Sequence, residues 1–442
     1  MQKFIVTGGK KLQGTVAVSG SKNVALKALV AACLTSEEVI IHNIPHISDF
    51  DVMVDIMRAL GASVEVIDHT VKVKMETFST HEIPLDKAAQ ARTSSMFISP
   101  LLARIGEAVI PNPGGCRLGA RPIDRTIEGV RAFHVDVVYH SEDGYFHAKT
   151  DRLIATEYKF EKNTHTGTET LILLAALAQG KTVLKNAAEE PEIDDLIELL
   201  NAMGAKIIRS GKREITIEGV EKLHGAEYTI SPDRNEIVTF AIAALMTDGD
   251  IFVEKAKKKD LIEFLEKLDE ANGGYEEKEN GIRFFSKGIL SPTDVTTGVY
   301  PDFMTDWQAP WAVLMTKAEG LSTLHETVFE NKFGYVEDLK RMGAQIELYN
   351  PPVENREFVY NFNLEDDRPE FFHAIKIYGP TNLHNGVMTM VDIRAGAAVV
   401  LGALAAEGTS TIFGIEKLDR GYEDFENRLT KLGADIKRME EE

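Results

Sequence analysis

The chain has 442 residues, a formal net charge of −20, 44% hydrophobic residues and 27% charged residues. A single hydrophobic core stops growing near ~250–300 residues, so we expect more than one domain. The acidic balance argues against nucleic acid or an anionic membrane surface as a partner, because either would require a broad basic patch. Any anionic small molecule must therefore be held by a focused cluster of arginines and lysines.

The cysteines and the apolar runs indicate the compartment. Cys33 and Cys116 are too few for a disulfide framework, which favours a reducing environment. The amino terminus lacks the apolar stretch of a signal peptide, and the longest apolar run, residues 395–406, is too short to span a bilayer. These features predict a cytoplasmic protein.

A repeat organises the chain. A helix followed by Met/Leu-Gly-Ala and an alternating strand recurs around Gly61, Gly204, Gly343 and Gly433, with degenerate copies at residues 131–137 and 272–275. The spacing fits six units of about 70 residues, the last one lengthened by an insertion within residues 350–379. Strands that alternate with helices in this way predict an α/β fold built by duplication, with three units in each of two lobes.

Two predicted helices begin with a cation. Lys22 lies in S-G-S-K-N, directly before the helical run 24–34, where free backbone N–H groups favour an anion. The alternative is a serine cap followed by a surface lysine. Arg92 opens a mostly apolar helix and requires a carboxylate or a ligand anion as its partner; an ion pair is the simpler alternative.

Residues 111–124, P-N-P-G-G-C-R-L-G-A-R-P-I-D, predict an exposed loop with a thiol at its tip. Arg117 and Arg121 place positive charge near Cys116, which favours the thiolate and makes the sulfur reactive. A surface loop with an incidental cysteine is the alternative.

Two polar stretches precede apolar helices. Residues 163–170, N-T-H-T-G-T-E-T, are suited to hold a polar ligand or only to cap a helix. Asp302 and Asp306 lie in an aromatic stretch, Y-P-D-F-M-T-D-W-Q, where an apolar setting would suit a general base. A cap on the helix that begins near Trp307 explains the second carboxylate equally well.

Later in the chain, D-I-R at 392–394 and D-R-G-Y at 419–422 place Arg394 and Arg420 at turns that precede helices, as Arg121 does. These comparable positions suggest convergence on one site. We find no spacing typical of metal ligands, no dinucleotide-binding glycine pattern and no readable serine–histidine pair.

Taken together, several stretches resemble the enolpyruvyl transferases, and among them the members that act in peptidoglycan synthesis. The motif around Cys116 is the most specific, since the shikimate-phosphate branch of the family is not expected to carry it. The stretches are S-G-S-K-N at 19–23, P-G-G-C-R-L-G-A-R-P-I-D at 113–124, A-A-E-E-P-E-I at 187–193, T-D-x-Q at 305–308, E-T-V-F-E-N at 326–331, D-I-R-A at 392–395 and D-R-G-Y-E at 419–423.

The resemblance implies a two-lobed inside-out α/β barrel of six β-α-β-α-β-β repeats, three per lobe about pseudo-threefold axes. Residues 1–21 and 231–442 would form one lobe. Residues 22–230 would form the other and carry the cysteine loop 111–124. Ligands would bind in a cleft that this loop closes, which excludes water.

The resemblance also implies the chemistry. The enolpyruvyl group of phosphoenolpyruvate would pass to the 3′-hydroxyl of UDP-N-acetylglucosamine by addition–elimination, with release of phosphate and without cofactor or metal. Cys116 would donate a proton, and fosfomycin would alkylate it, whereas Asp306 would act as acid/base at the sugar hydroxyl. Phosphoenolpyruvate would contact Lys22, Arg121, Arg394 and Arg420. The sugar nucleotide would contact Asn23, Arg92, Pro122, Ile123, Asp124, Asp306 and Val328. Lys332 and Arg234 would complete the set of site residues.

Three departures from the family pattern keep two alternatives open. Lys332 replaces the usual arginine and loses its bidentate fork, while Arg125-Thr126 and residues 163–168 differ where the uridine would lie. One alternative is therefore an enolpyruvyl transferase with another hydroxylated acceptor. The other is a non-catalytic paralogue that binds a nucleotide sugar, which the intact cysteine, aspartate, lysine and arginines of the motifs argue against.

Overall fold

The computed structural model describes residues 2–112 and 123–440. The described chain divides into two compact units. The terminal unit comprises residues 2–19 and 232–440, and the central unit comprises residues 20–112 and 123–231. The chain therefore passes from the terminal to the central unit after Ser19 and returns after Ser231.

Strands and helices alternate throughout, as the repeat predicts. The strands are β1 (Gln2–Thr7), β2 (Gln13–Ala17), β3 (Val39–His42), β4 (Ser63–Ile67), β5 (Thr70–Lys74), β6 (Glu107–Pro111), β7 (Asp136–His140), β8 (Tyr145–Lys149), β9 (Glu157–Lys159), β10 (Lys181–Lys185), β11 (Lys206–Gly211), β12 (Glu214–Glu218), β13 (Glu227–Thr229), β14 (Asp250–Glu254), β15 (Gly274–Lys278), β16 (Gly281–Phe285), β17 (Asp294–Gly298), β18 (Phe303–Met304), β19 (Gly320–His325), β20 (Gln345–Tyr349), β21 (Ala374–Gly379), β22 (Val387–Thr389), β23 (Thr409–Phe413) and β24 (Asp435–Glu440).

The α-helices are α1 (Lys22–Ala32), α2 (Ser48–Ala59), α3 (Leu85–Ala88), α4 (Ile98–Ile105), α5 (Asp124–Arg131), α6 (His165–Ala175), α7 (Pro191–Ala202), α8 (Arg234–Met246), α9 (Ile262–Glu270), α10 (Gln308–Met315), α11 (Val336–Arg341), α12 (Arg356–Val359), α13 (Ile393–Ala405) and α14 (Phe425–Lys431). Short 3-10 helices cover Arg92–Phe97, Lys258–Asp260, Thr305–Trp307 and Ile415–Lys417. No helix within the described residues is both long enough and apolar enough to cross a membrane.

Six sheets form among the described residues, three in each unit; five are mixed, β6-β8-β7 is antiparallel, and the predicted α/β class is confirmed. In the terminal unit the strand orders are β22-β23-β1-β24, β15-β16-β14-β2 and β18-β17-β19-β21-β20; in the central unit they are β11-β12-β10-β9, β13-β3-β5-β4 and β6-β8-β7. None of these sheets closes on itself within residues 2–112 and 123–440, so the predicted barrel is a packing of open sheets. The pseudo-threefold axes stay a prediction.

The helices lie inside and the sheets outside. In the terminal unit α8, α10 and α13 pack against one another and are buried along almost their entire length. In the central unit α1 and α6 are buried to a similar extent. A helix that is apolar on every side can be stable only if it is surrounded by protein. This arrangement matches the inside-out architecture that the family resemblance implies.

The six repeats share one backbone feature. The Gly of each Met/Leu-Gly-Ala phrase has a positive φ, between 97° and 107° at positions 61, 204, 343 and 433. His134 and Asn272 occupy the same place in the two degenerate copies and have φ values of 63° and 61°. A left-handed residue ends the helix and turns the chain into the next strand. The degenerate copies are therefore true members of the repeat.

Two edge strands pair with partners far along the chain. In a regular repeat, such as β9-α6-β10, the strands before and after the buried helix pair in parallel. β2 precedes α1 but pairs with β14, and β13 precedes α8 but pairs with β3. β1 inserts between β23 and β24 and completes the sixth repeat. Each unit is therefore completed by a strand that comes from beyond a crossover or from the amino terminus.

A buried ion pair in the terminal unit holds the residue at which the chain leaves this unit. Glu236, on α8, is fully buried and accepts two hydrogen bonds of 2.7 Å from the Arg428 guanidinium of α14. It also accepts a 2.9 Å hydrogen bond from the Ser19 N–H, the last residue before the chain leaves the unit. Burial alone would raise the pKa of Glu236, but Arg428 and the Ser19 N–H together lower it.

We expect Arg428→Met to lower the free energy of unfolding by about 3–5 kcal/mol, because the Glu236 carboxylate would stay buried without its cation. Urea denaturation of the full chain measures this loss. Lys206→Met is the matched control: it removes an exposed ion pair with Glu218 and should cost less than about 1 kcal/mol. Equal losses in the two variants would contradict the role given to the buried pair.

Candidate functional site

In the terminal unit, a carboxylate lies between two buried cations. Asp306 Oδ1 is 3.9 Å from Lys332 Nζ, and Asp306 Oδ2 is 3.9 Å from Arg394 Nε. The Lys332 and Arg394 side chains are 3% and 8% exposed, whereas that of Asp306 is 27% exposed. The carboxylate is thus the accessible member of the group. Two positive charges therefore flank a carboxylate whose oxygens can accept a proton.

The ends of the buried helices position these groups. Asp392 caps α13 by accepting hydrogen bonds from the Arg394 and Ala395 N–H groups, at 2.8 and 2.9 Å. Asp233 caps α8 in the same way. Asp306 lies in the 3-10 turn Thr305–Trp307 that leads into α10. The site is therefore built where three core helices begin, and their N-termini add positive potential for an anion.

Arg394 is held in place and still has an unused donor. Its guanidinium lies 5.2 Å from the centre of the Tyr422 ring, and the Tyr422 hydroxyl is 2.7 Å from Thr239 Oγ1. Burial alone would lower the pKa of Arg394, but Tyr422, Asp306 and Asp233 raise it. Arg394 Nη1 is buried without a hydrogen-bond partner among the described residues. Such a donor is costly unless a ligand or water satisfies it.

Arg234 begins α8 on the aromatic side of the same region. Its guanidinium lies 5.3 Å from the Tyr300 ring centre and 5.6 Å from that of Trp307. Trp307 Nε1 donates a 3.0 Å hydrogen bond to Asn235 Oδ1. These contacts tie the start of α8 to the turn that carries Asp306.

Glu326 organises the loop beside Asp306. It is buried and accepts hydrogen bonds from the Val328 and Phe329 N–H groups at 2.8 and 3.0 Å, and from Thr305 Oγ1 at 2.9 Å. Burial raises the pKa of Glu326, and Lys332 and these hydrogen bonds partly oppose the rise. Glu326 therefore fixes the position of the Asp306 turn relative to the loop that contains Val328.

In the central unit, α1 begins with an ion pair. Lys22 Nζ is 2.7 Å from Asp49 Oδ2, and both side chains are nearly buried. Asn23 follows in the first turn of α1, and Arg92 begins a 3-10 helix. Ile123 and Asp124 lie at the start of α5, the first buried and the second exposed.

A second charged group lies where α6 begins. Glu169 is fully buried and lies 3.3 Å from both Lys27 Nζ and His165 Nε2. Burial alone would lower the pKa of His165, but Glu169 and Glu190 raise it. Thr164 caps the helix by accepting a hydrogen bond from the Gly167 N–H. The predicted polar stretch at 163–170 is therefore an ion-paired helix start.

Comparison with known proteins gives the family. Residues 6–429 match the family described as EPSP synthase (3-phosphoshikimate 1-carboxyvinyltransferase). The chain belongs to this family. Within it, the chain is 40% identical to the UDP-N-acetylglucosamine 1-carboxyvinyltransferase of Acidobacterium capsulatum, over 99% of this chain and 96% of the relative. It is 41% identical to the protein of the same name from Koribacter versatilis, over 100% and 97% of the two chains.

Solved structures of the family share the fold. The enolpyruvyl transferase NikO from Streptomyces tendae superposes with a TM-score of 0.86 at 25% identity and covers 99% of each chain. An EPSP synthase from Acinetobacter baumannii has a TM-score of 0.72 at 18% identity over the full length of both chains. The second likeness supports the fold alone.

The structure brings together some of the predicted site residues. Asp306, Lys332 and Arg394 form one group, Arg234 joins it through Trp307, and Val328 joins it through Glu326. Asp302, the other candidate carboxylate, is exposed. Arg420 is partly buried and lies two residues before Tyr422. The predicted residues in the central unit are Lys22, Asn23, Arg92, Ile123 and Asp124. Cys116, Arg121 and Pro122 lie outside the described residues.

Sequence reasoning missed the residues that hold the site. Glu326 and Asp49 were not candidates, and Tyr422 was noted only as part of a motif. The signal for Glu326 was present, since it opens the E-T-V-F-E-N motif that the family resemblance used. The expected apolar setting of Asp306 was wrong, because Lys332 and Arg394 flank its carboxylate.

The raised pKa of His165 gives a pH dependence. Because the folded state binds this proton more tightly, the stabilisation is complete below the ordinary value of 6.5 and is lost as pH rises through the folded-state pKa. We expect the urea midpoint of the wild type to fall more between pH 6 and pH 8.5 than that of His165→Gln. His224→Gln, at an exposed histidine, is the control and should follow the wild type. Parallel profiles for the wild type and His165→Gln would refute the assignment.

Proposed function

We propose that this chain transfers the enolpyruvyl group of phosphoenolpyruvate to the 3′-hydroxyl of UDP-N-acetylglucosamine and releases phosphate. The observation that carries the proposal is the 40–41% identity, over nearly the whole chain, to relatives named UDP-N-acetylglucosamine 1-carboxyvinyltransferase. The reaction would belong to peptidoglycan synthesis and so to cell-wall formation and cell division. We place it in the cytoplasm, where the Cys116 thiol would stay reduced.

Electrostatics support phosphoenolpyruvate as the donor. The chain carries a net charge of −20 and needs a local positive site for an anion with a carboxylate and a phosphate. Lys332 and Arg394 are buried cations, Arg394 lies at the N-terminus of the core helix α13, and Arg394 Nη1 is a buried donor without a partner in the described residues. Preorganised charges of this kind stabilise negative charge that develops during reaction. We assign Lys22, Arg121, Arg394 and Arg420 to the same ligand.

The proton transfers balance over two steps. In the first, the 3′-hydroxyl adds to C2 of phosphoenolpyruvate, Asp306 accepts the hydroxyl proton, and the Cys116 thiol donates a proton to C3. In the second, the Cys116 thiolate takes a proton from C3 as the C2–O bond to phosphate breaks, and Asp306 returns its proton to the leaving phosphate. This forms the enol ether and inorganic phosphate and restores the thiol and the carboxylate. Asp306 is suited to its role because its carboxylate is the most accessible member of the group.

The remaining assignments concern the sugar nucleotide. We propose that Asn23, Arg92, Pro122, Ile123, Asp124, Asp306 and Val328 bind it. Arg234 would support the Asp306 turn through Trp307, and Lys332 would replace the usual arginine as a point charge. Lobe boundaries at residues 21/22 and 230/231 form part of the same proposal.

Phosphate release from phosphoenolpyruvate, measured with and without UDP-N-acetylglucosamine, tests the function. We expect release that depends on the sugar nucleotide and covalent labelling of Cys116 by fosfomycin. If phosphoenolpyruvate labels Cys116 but no phosphate is released with this acceptor, the donor site is right and the acceptor is wrong. Arg125 and Thr126 would then be the first residues to test against other hydroxylated acceptors. If phosphate is not released and Cys116 is not labelled, the proposed activity is refuted.

We expect Asp306→Asn to lower kcat by about 10²–10⁴-fold, because an amide cannot accept the hydroxyl proton. Steady-state phosphate release measures kcat and KM for both substrates. Asp302→Asn is the matched control, since it removes an exposed carboxylate from the same stretch, and it should retain wild-type turnover. If Asp306→Asn kept wild-type turnover, or if both variants lost it equally, the assignment would fail.

A further inference from the structure

The hairpin formed by β7 and β8 in the central unit carries two histidines on one face. The register pairs His140 with Tyr145 and Val138 with His147, so His140 and His147 are diagonal neighbours. The alternate residues Val137, Phe146 and Ala148 face the core. The two imidazoles therefore lie on the outer side of the sheet, with ring centres 4.1 Å apart and planes inclined by 25°.

A carboxylate completes the group from the turn. Asp143 Oδ1 accepts a 2.8 Å hydrogen bond from the Tyr145 N–H, and Asp143 Oδ2 lies 2.9 Å from His147 Nε2. The backbone contact fixes one carboxylate oxygen and leaves the other beside the imidazoles. One potential ligand atom from each of His140, Asp143 and His147 lies within 4.8 Å of the other two.

We propose that His140, Asp143 and His147 bind one divalent transition-metal ion of the Zn²⁺ class. Imidazole nitrogens and a carboxylate suit Zn²⁺, Ni²⁺ or Cu²⁺, whereas Mg²⁺ and Ca²⁺ prefer oxygen ligands alone. Tetrahedral Zn²⁺ with bonds of about 2.0–2.1 Å requires its ligands to lie about 3.3 Å apart. Small rotations of these partly exposed side chains would reach that spacing, and water would fill the fourth position. Metal binding would replace the hydrogen bond between His147 Nε2 and Asp143 Oδ2.

The position of the group gives metal binding a structural consequence. β8 also pairs with β6, and the Asn112 N–H donates a 3.2 Å hydrogen bond to the Gly144 carbonyl in the turn of the hairpin. A metal ion that ties the turn to both strands would therefore also restrain the end of β6. The spacing of the three residues in the sequence is not a recognised ligand motif, so the hairpin register was needed to reveal the group.

Calorimetric titration of the full chain with ZnCl₂ in a non-chelating buffer tests the site. The parent protein for this test carries Cys116→Ser, which removes a competing thiol. It is compared with a double variant that adds His140→Ala and His147→Ala to the same parent. We expect the parent to bind one more equivalent of Zn²⁺ than this double variant, and Asp143→Asn to bind at least about tenfold more weakly. His81→Ala, at an exposed histidine outside the group, is the control and should retain the site.

Hydrogen–deuterium exchange locates the binding. Zn²⁺ should slow exchange in residues 136–149 of the parent and leave these residues of the double variant unchanged. Excess Mg²⁺ should not reverse the protection. Identical Zn²⁺ stoichiometry in parent and double variant, or protection without these histidines, would overturn the proposal. Displacement of Zn²⁺ by Mg²⁺ would overturn the assigned metal class. Equal circular dichroism spectra and melting temperatures would confirm that the double variant is folded.

Discussion

The structure depends on the need to bury helices that are apolar on every side. α8, α10 and α13 can satisfy that need only by packing together at the centre of the terminal unit, with the sheets outside them. Once they are packed, the starts of the three helices lie close to one another. Residues of opposite charge at those starts, Asp306 and Arg394, then meet without any motif that joins them in sequence. The candidate site is thus a consequence of how the core is filled.

Charge at this site is arranged by burial. Lys332 and Arg394 are almost completely buried. The distance from each cation to the Asp306 carboxylate is nevertheless 3.9 Å. Contacts of this length are longer than hydrogen bonds, and the buried Arg394 Nη1 has no hydrogen-bond partner in residues 2–112 and 123–440. The Glu236–Arg428 pair, by contrast, is bidentate at 2.7 Å and has a structural role. The two geometries separate a site suited to a ligand from one that holds the fold.

The repeat explains how a chain of this length forms two units. Six copies of one helix–turn–strand pattern supply six sheets, and the exchange of β2 and β13 means that each unit contains a strand from beyond a crossover. Such pairings raise the average sequence separation of contacts and slow folding. They also place the Ser19–Glu236 contact at a crossover, where it limits movement of the departing chain.

The sequence by itself determined the repeat, the α/β class and most of the candidate residues, because these depend on local patterns: a left-handed turn after each helix, alternating strands and short motifs at helix starts. It could not reveal that Lys332 and Arg394 flank Asp306, that Glu326 holds the adjoining loop, or that His140 lies beside His147. Each of these arrangements joins residues from different elements, Glu326 through its hydrogen bond from Thr305 in the turn that carries Asp306. Only the packing of the core helices and the register of the hairpin bring such residues within a few ångströms, so the tertiary structure decided them.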